Sequence, residues 1–145
     1  MAYEPVEMSE DAIEAFLEAP RFAVVGTNRR DGPPQLTPVW YLYQQGNVYL
    51  EMFEKSAKHR NLRRDPRVGL CIAGVHPDAR AVMLYGTAEL FPQGSAWVDD
   101  IRWRLVRRYY ENDEEARSYM YRAASGGRRA LAVVTPERVL AQDFN

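Results

Sequence analysis

Between Lys55 and Asp65 the chain reads KSAKHRNLRRD, and the chemistry these residue types offer is the capture of an anion. Lys55, Lys58, Arg60, Arg63 and Arg64, with His59, crowd around Ser56. Serine is favoured at helix N-caps because its hydroxyl accepts from backbone N–H groups that the first turn leaves unpaired. The spacing predicts a short helix that begins at Ala57 and stops at Asp65-Pro66, since proline disfavours helical geometry in the residue before it. The free N–H groups of the first turn, the positive end of the helix dipole and the ammonium groups of Lys55 and Lys58 then converge on one small volume. That is a phosphate-sized anion site. The plainer reading stays open beside it: a charged run also makes a solvated helix face, with Glu51, Glu54 and Asp65 offsetting part of the charge.

Composition bounds what such a site serves. At 145 residues the chain suits one domain, 1–145, which buries roughly two thirds of its unfolded surface without disulfide or metal staples. With 19 basic and 20 acidic residues the net charge is −1, so there is no general attraction to nucleic acid or to an anionic membrane, and a basic site must be local. No apolar stretch approaches the roughly 20 residues of a membrane span, and the N-terminus lacks a signal-peptide pattern. A cytoplasmic protein is expected. The one cysteine, Cys71, lies in an apolar run and is expected to be a buried, inert thiol. Nine tyrosines and three tryptophans point to interfaces or to a site for a flat ligand.

Several chemistries find no support. His59 and His76 sit among charged or turn residues, and no nucleophile carries a recognisable motif. One cysteine and two histidines without ligand spacing do not make a zinc site. There is no G-x-G-x-x-G or Walker-type loop. A flat, phosphate-bearing cofactor held beside an apolar strand survives, and there the cofactor carries the reactive centre, so no catalytic side chain is required.

The elements that must position the site are mostly strands. A first helix is capped by Ser9, carries Ile13, Phe16 and Leu17 on one face, and ends at Pro20. Strands follow at 22–27 and 35–43, joined through Asp31-Gly32. The second is apolar on both faces, with Leu36, Pro38, Trp40 and Leu42 on one and Thr37, Val39 and Tyr41 on the other, and Pro38 marks it as an edge. Residues 48–53 return antiparallel into the cationic cluster. Strands at 68–75 and 81–91 follow, the latter with a bulge or close approach at Gly86. Helices are expected over 95–110 and 114–124, then two strands, 130–135 and 139–144. Six or seven strands with two helical inserts indicate a mainly β, closed or partly closed antiparallel barrel with flanking helices; a sandwich is the alternative.

Taken together, Gln35 to Tyr41 (QLTPVWY), Lys55-Ser56-Ala57-Lys58, Asn61-Leu62, Asp65-Pro66-Arg67-Val68 and Gly86-Thr87-Ala88-Glu89 resemble the flavin-binding split β-barrel superfamily related to pyridoxamine 5'-phosphate oxidase. The closer likeness is to its deazaflavin (coenzyme F420) dependent branch, and it spans about Ala12 to Phe144. The resemblance implies the split barrel, usually a homodimer with two cofactor sites at the subunit interface. It places the cofactor ring against the backbone of Thr37, Pro38 and Val39, with Gln35 and Trp40 at its ends. Glu51 and Met52 line the neighbouring strand, and Lys55, Ser56, Ala57, Lys58 and Asn61 form the phosphate cluster. The structural alternatives are that Thr37 to Trp40 is barrel wall and that Asn61 caps its own helix.

The chain departs from the oxidases themselves. Their equivalent strand begins with arginine and ends with lysine, where this chain has Gln35 and Trp40; their Arg-Lys phosphate pair corresponds to Ala57-Lys58; and their C-terminal Trp and Arg signature is replaced by LAQDFN. The Pro-Val-Trp run and the Lys-Ser-x-Lys cluster look more like the deazaflavin-dependent enzymes, whose cofactor has a long acidic tail suited to Arg60 and Arg64. The resemblance therefore implies an F420-dependent reductase that passes a hydride to an unsaturated small-molecule substrate; solvent or a polar group such as Tyr41 is the expected proton source. An FMN-binding oxidase, reductase or storage protein is the second reading. A nucleic-acid-binding module using Arg63, Arg64, Arg102, Arg107 and Arg108 is the third, disfavoured by the near-neutral charge.

Overall fold

The computed structural model describes residues 4–145; Met1 to Tyr3, which the expected 1–145 domain includes, lie outside it. Eight strands form one antiparallel sheet. Strand β1 (Val6–Glu7) precedes helix α1 (Glu10–Glu18), whose cap is Ser9, accepting from the Ala12 N–H at 3.2 Å. Strands β2 (Ala23–Thr27), β3 (Gln35–Val39), β4 (Tyr41–Gln44) and β5 (Asn47–Phe53) lead to helix α2 (Ala57–Arg64), followed by β6 (Arg67–Ala73) and β7 (Arg80–Pro92). Helices α3 (Ala96–Arg107) and α4 (Asp113–Ala123) then precede the long last strand β8 (Arg129–Asp143).

The sheet order is β3-β2-β6-β7-β8-β5-β4, with β1 on the far end of β8. Strands β3 and β4 are consecutive in the chain yet stand at opposite ends of that order. Only Trp40 separates them. The sheet must therefore roll until its two ends meet, which makes a barrel whose seam is closed by the covalent chain. The expected single strand over 35–43 is thus corrected to two, because the residues on either side of Trp40 pair with different neighbours.

Alternation fills the interior. On β5, Val48, Leu50 and Met52 are buried while Asn47, Tyr49, Glu51 and Phe53 face outward. The barrel core holds Val25, Val39, Tyr41, Leu70, Ile72, Val82, Leu84 and Val134, plugged by Phe16 and Leu17 of α1. A second core lies outside the barrel, where Val98, Ile101, Leu105 and Val106 of α3 and Ala116 of α4 cover Leu42 and Leu131.

Two other expectations change. Strand β8 is continuous where two strands were expected; Gly86 faces Pro136 and Tyr85 faces Arg138, so Glu137 bulges without breaking the ladder. Gly86 is required there, because a Cβ on it would lie 2.0 Å from the Thr135 carbonyl oxygen. Cys71 is exposed, since it occupies an outward position between buried Leu70 and Ile72.

The seam is fastened from the helical side. Tyr109 donates to the Arg21 carbonyl at 2.6 Å and accepts from the Tyr41 N–H at 3.0 Å. Arg108 donates to the carbonyls of Tyr41, Leu17 (3.3 Å) and Glu18 (2.8 Å). The end of α3 thereby meets backbone groups that strand pairing leaves open where the chain crosses from β3 to β4.

Candidate cofactor site

Helix α2 forms as its sequence predicts. Ser56 accepts from the His59 N–H at 3.2 Å while its own hydroxyl donates to the Phe53 carbonyl at 2.7 Å, which fixes the turn from β5 into the helix. The Ser56 hydroxyl is thus engaged on both sides, and its part in the site is to set the direction of the helix.

A cavity of about 280 Å³ opens where the seam, β5 and the N-terminal turn of α2 meet. Six residues singled out in the sequence line it: Pro38, Val39, Trp40, Glu51, Met52 and Lys58. Gln35, Ala57 and Asn61 line a second depression of about 530 Å³, together with Arg29, Arg30, Asp31, Arg60 and Arg64. Lys55 stands apart, exposed beside Glu54, His59 and Arg63 in another hollow. Thr37 lines none of these, but its Oγ1 is buried without a hydrogen-bond partner. Asn61 does not cap its helix; its side-chain amide donates to Thr27 Oγ1 at 3.1 Å and reaches Gln35 Oε1 at 3.5 Å, tying α2 to β2 and β3.

The electrostatics favour a bound anion. Lys58 is half-buried, burial lowers its pKa from the ordinary lysine value, and none of the ion pairs among the described residues involves it. Arg29, Arg30, Arg60, Arg63 and Arg64 have no carboxylate partner among those pairs either, although Asp31 shares their depression. A phosphate would offset the cost of holding the Lys58 charge partly out of water.

Tyr41 is removed from the candidates for proton transfer. It is completely buried in the barrel core, its hydroxyl donates to the carbonyls of Leu17 and Ala19 at 3.0 Å each, and burial pushes its pKa up to about 12.

Sequence reasoning missed the charges on the far wall. Arg129, at the start of β8, has a side chain only 9% exposed and donates through Nη1 to Glu51 Oε1 at 2.6 Å. Its guanidinium also sits 3.7 Å from the centre of the Phe53 ring. Arg102 of α3 approaches the same Glu51 oxygen at 3.6 Å and Asp99 at 3.3 Å. Nothing local in Gly126-Gly127-Arg128-Arg129 marks the second arginine for burial, and the outward parity of Glu51 on β5 does not announce a buried carboxylate. Leu105 and Val106 of α3 and Tyr119 of α4 complete the wall, and Trp40 is stacked on Tyr109 with centroids 4.6 Å apart at 8°.

Apolar walls, unpaired cations and orphaned polar atoms at Glu51 and Arg129 fit a planar ligand bearing an anionic group. A family model described as pyridoxamine 5'-phosphate oxidase matches residues 9–143. The chain belongs to that family. That family includes oxidoreductases, and flavin-type cofactor binding is supported at the level of the family. Among solved structures, a conserved hypothetical protein of Mycobacterium tuberculosis, Rv2991, is 27% identical with a TM-score of 0.80, over 100% of this chain and 90% of its own. An F420 reductase is 22% identical with a TM-score of 0.67, over 87% and 94%. A FAD-binding protein of Mesorhizobium loti is 18% identical with a TM-score of 0.69, over 95% and 96%. The last two likenesses establish the split barrel alone. No helix among the described residues is long and apolar enough to cross a membrane.

Removing one member of a buried ion pair costs about 3–5 kcal/mol when the other is left uncompensated, and here Arg102 stays within 3.6 Å of Glu51. Arg129→Ala is therefore expected to lower stability in urea unfolding by less than that amount, and an unchanged midpoint would show that Glu51 is not held by this pair.

Proposed function

We propose that the chain is a single-domain, cytoplasmic, homodimeric oxidoreductase that binds reduced coenzyme F420 and reduces an unsaturated organic substrate. The observation that carries the reading is the continuity of two features across Ala57-Lys58. An apolar, aromatic cavity ends at a half-buried lysine, and beyond the same helix turn lies a depression lined by Arg29, Arg30, Arg60 and Arg64. A single phosphate needs the first feature. A cofactor with an acidic tail beyond its phosphate uses both, which favours F420 over FMN.

The reduced deazaflavin, when bound, supplies the hydride. The chain's own residues bind and orient it. Lys58 and the first turn of α2 are the groups that would hold the phosphate, the free edge of β3 at Thr37 to Val39 would face the ring, and Trp40, Leu105, Val106 and Tyr119 exclude water from that side. Catalysis on this reading is positioning and desolvation, with no nucleophile from the protein.

Titration of the purified protein with coenzyme F420 and, separately, with FMN tests the reading. F420 should bind more tightly; Lys58→Ala should weaken both cofactors by about tenfold or more, while the double substitution Arg30→Ala, Arg60→Ala should weaken F420 selectively. Preference for FMN, with the arginine substitutions silent, moves the protein to the flavin reading, and binding of neither removes the cofactor assignment.

The homodimer rests on the outer face of the sheet. Val24, Leu36, Cys71 and Tyr85 from four neighbouring strands are all exposed, Leu36 by 64%, and they line an apolar hollow of about 600 Å³. A contiguous apolar face of that kind is commonly covered in the working assembly. A second copy of the chain is the proposed cover. Sedimentation at micromolar concentration should give twice the chain mass, and Leu36→Glu with Tyr85→Glu should halve it; a wild-type monomer overturns the assembly.

A further inference from the structure

The ion pair on the far wall of the cavity is unusual in what it leaves free. Both arginines engage one oxygen of Glu51, Oε1, from Arg129 Nη1 at 2.6 Å and from Arg102 Nη2 at 3.6 Å. The other oxygen, Oε2, is buried without a partner, although the Glu51 side chain is only 8% exposed. Arg129 Nε is in the same condition. A buried acceptor left unmatched pays its desolvation without return, so this is a costly arrangement for a wall with only a structural role. Glu51 and Arg129 both line the cavity that takes in Pro38, Val39 and Trp40.

A buried carboxylate oxygen that can only accept is the complement of a ligand N–H, the group that a –CO–NH– edge carries. Cyclic imides present that edge, and so does the pyrimidinedione end of a flavin or deazaflavin ring. We infer that Glu51 Oε2 accepts a hydrogen bond from the imide N–H of the bound ring, so that Glu51, held in place by Arg129 and Arg102, selects rings with an unsubstituted imide. The inference rests on the cofactor reading above, and it assigns the far wall to the ring end opposite the phosphate. A carboxylate is also a poor neighbour for a phosphate, so the same residue sets the cofactor's direction in the cavity, with the phosphate toward Lys58.

The test is a comparison of dissociation constants, which needs no turnover. Coenzyme F420 and its N3-methyl derivative, and in parallel FMN and 3-methyl-FMN, are titrated into the wild-type protein and into Glu51→Gln, with folding of the variant checked by thermal melting. Glutamine keeps an oxygen for Arg129 but turns the free position into a donor. The wild type should bind the parent cofactor about tenfold or more tightly than the methylated one. In Glu51→Gln the parent should lose that advantage, with the ratio falling toward one. Equal binding of parent and methylated cofactor by the wild type overturns the inference and leaves the cofactor reading intact. So does a methyl penalty that persists in Glu51→Gln, because another group then rejects the substituent. Binding of neither parent overturns both.

Discussion

The constraint on which this structure depends is that Trp40 joins two strands that lie at opposite ends of one sheet. Chain continuity forces the sheet into a barrel, and it also prevents the usual remedy for an edge strand, since β3 has a pairing partner on only one side. Backbone groups along a free edge need water, side chains or a ligand. Pro38 reduces the demand by having no N–H to satisfy, and Tyr109 and Arg108 meet the groups of Tyr41 where the chain resumes. What is left open lies between Thr37 and Val39, beside the cavity. The seam is thus both what closes the barrel and what leaves room for a flat ligand.

Charge around that opening is distributed unequally. One wall carries a lysine with no acidic partner, and the other carries a carboxylate held by two guanidinium groups. Buried pairs of this kind contribute little net stability compared with apolar side chains of the same size, so their value lies in orientation. The Asp99-Arg102-Glu51-Arg129 chain connects α3 to β5 and β8, and the ring of Phe53 supports the last guanidinium. A polar ligand edge is then met by groups whose positions are fixed by three separate elements before it arrives, which lowers the ordering cost of binding.

Local chemistry in the sequence was legible and long-range pairing was not. Ser56 and Asp65-Pro66 define α2 because caps and proline act over a few residues, and Gly86 announces its bulge because only glycine tolerates an atom at 2.0 Å. The resemblance of QLTPVWY and KSAK led to the split barrel, which the family match over residues 9–143 bears out. The break at Trp40 was invisible, since the alternation of side chains runs through it and only the identity of the neighbouring strands changes. Cys71 was misjudged for a related reason: an apolar run does not tell which parity faces the core. Arg129 lies 78 residues from Glu51, and no local pattern links a residue after a Gly-Gly turn to a carboxylate on a distant strand. Lys55 illustrates the reverse case, a residue inside the right motif whose side chain lines a different hollow.

The measurement that tests the account most directly is a crystal structure of the protein with its cofactor bound. The account predicts the ring in the cavity between Trp40 and the Glu51–Arg129 pair, its phosphate against Lys58 and the first turn of α2, and any acidic tail running toward Arg30 and Arg60. A ring seated on the outer sheet face among Val24, Leu36 and Tyr85 would contradict it, and the unpaired charges around the seam would then need another explanation.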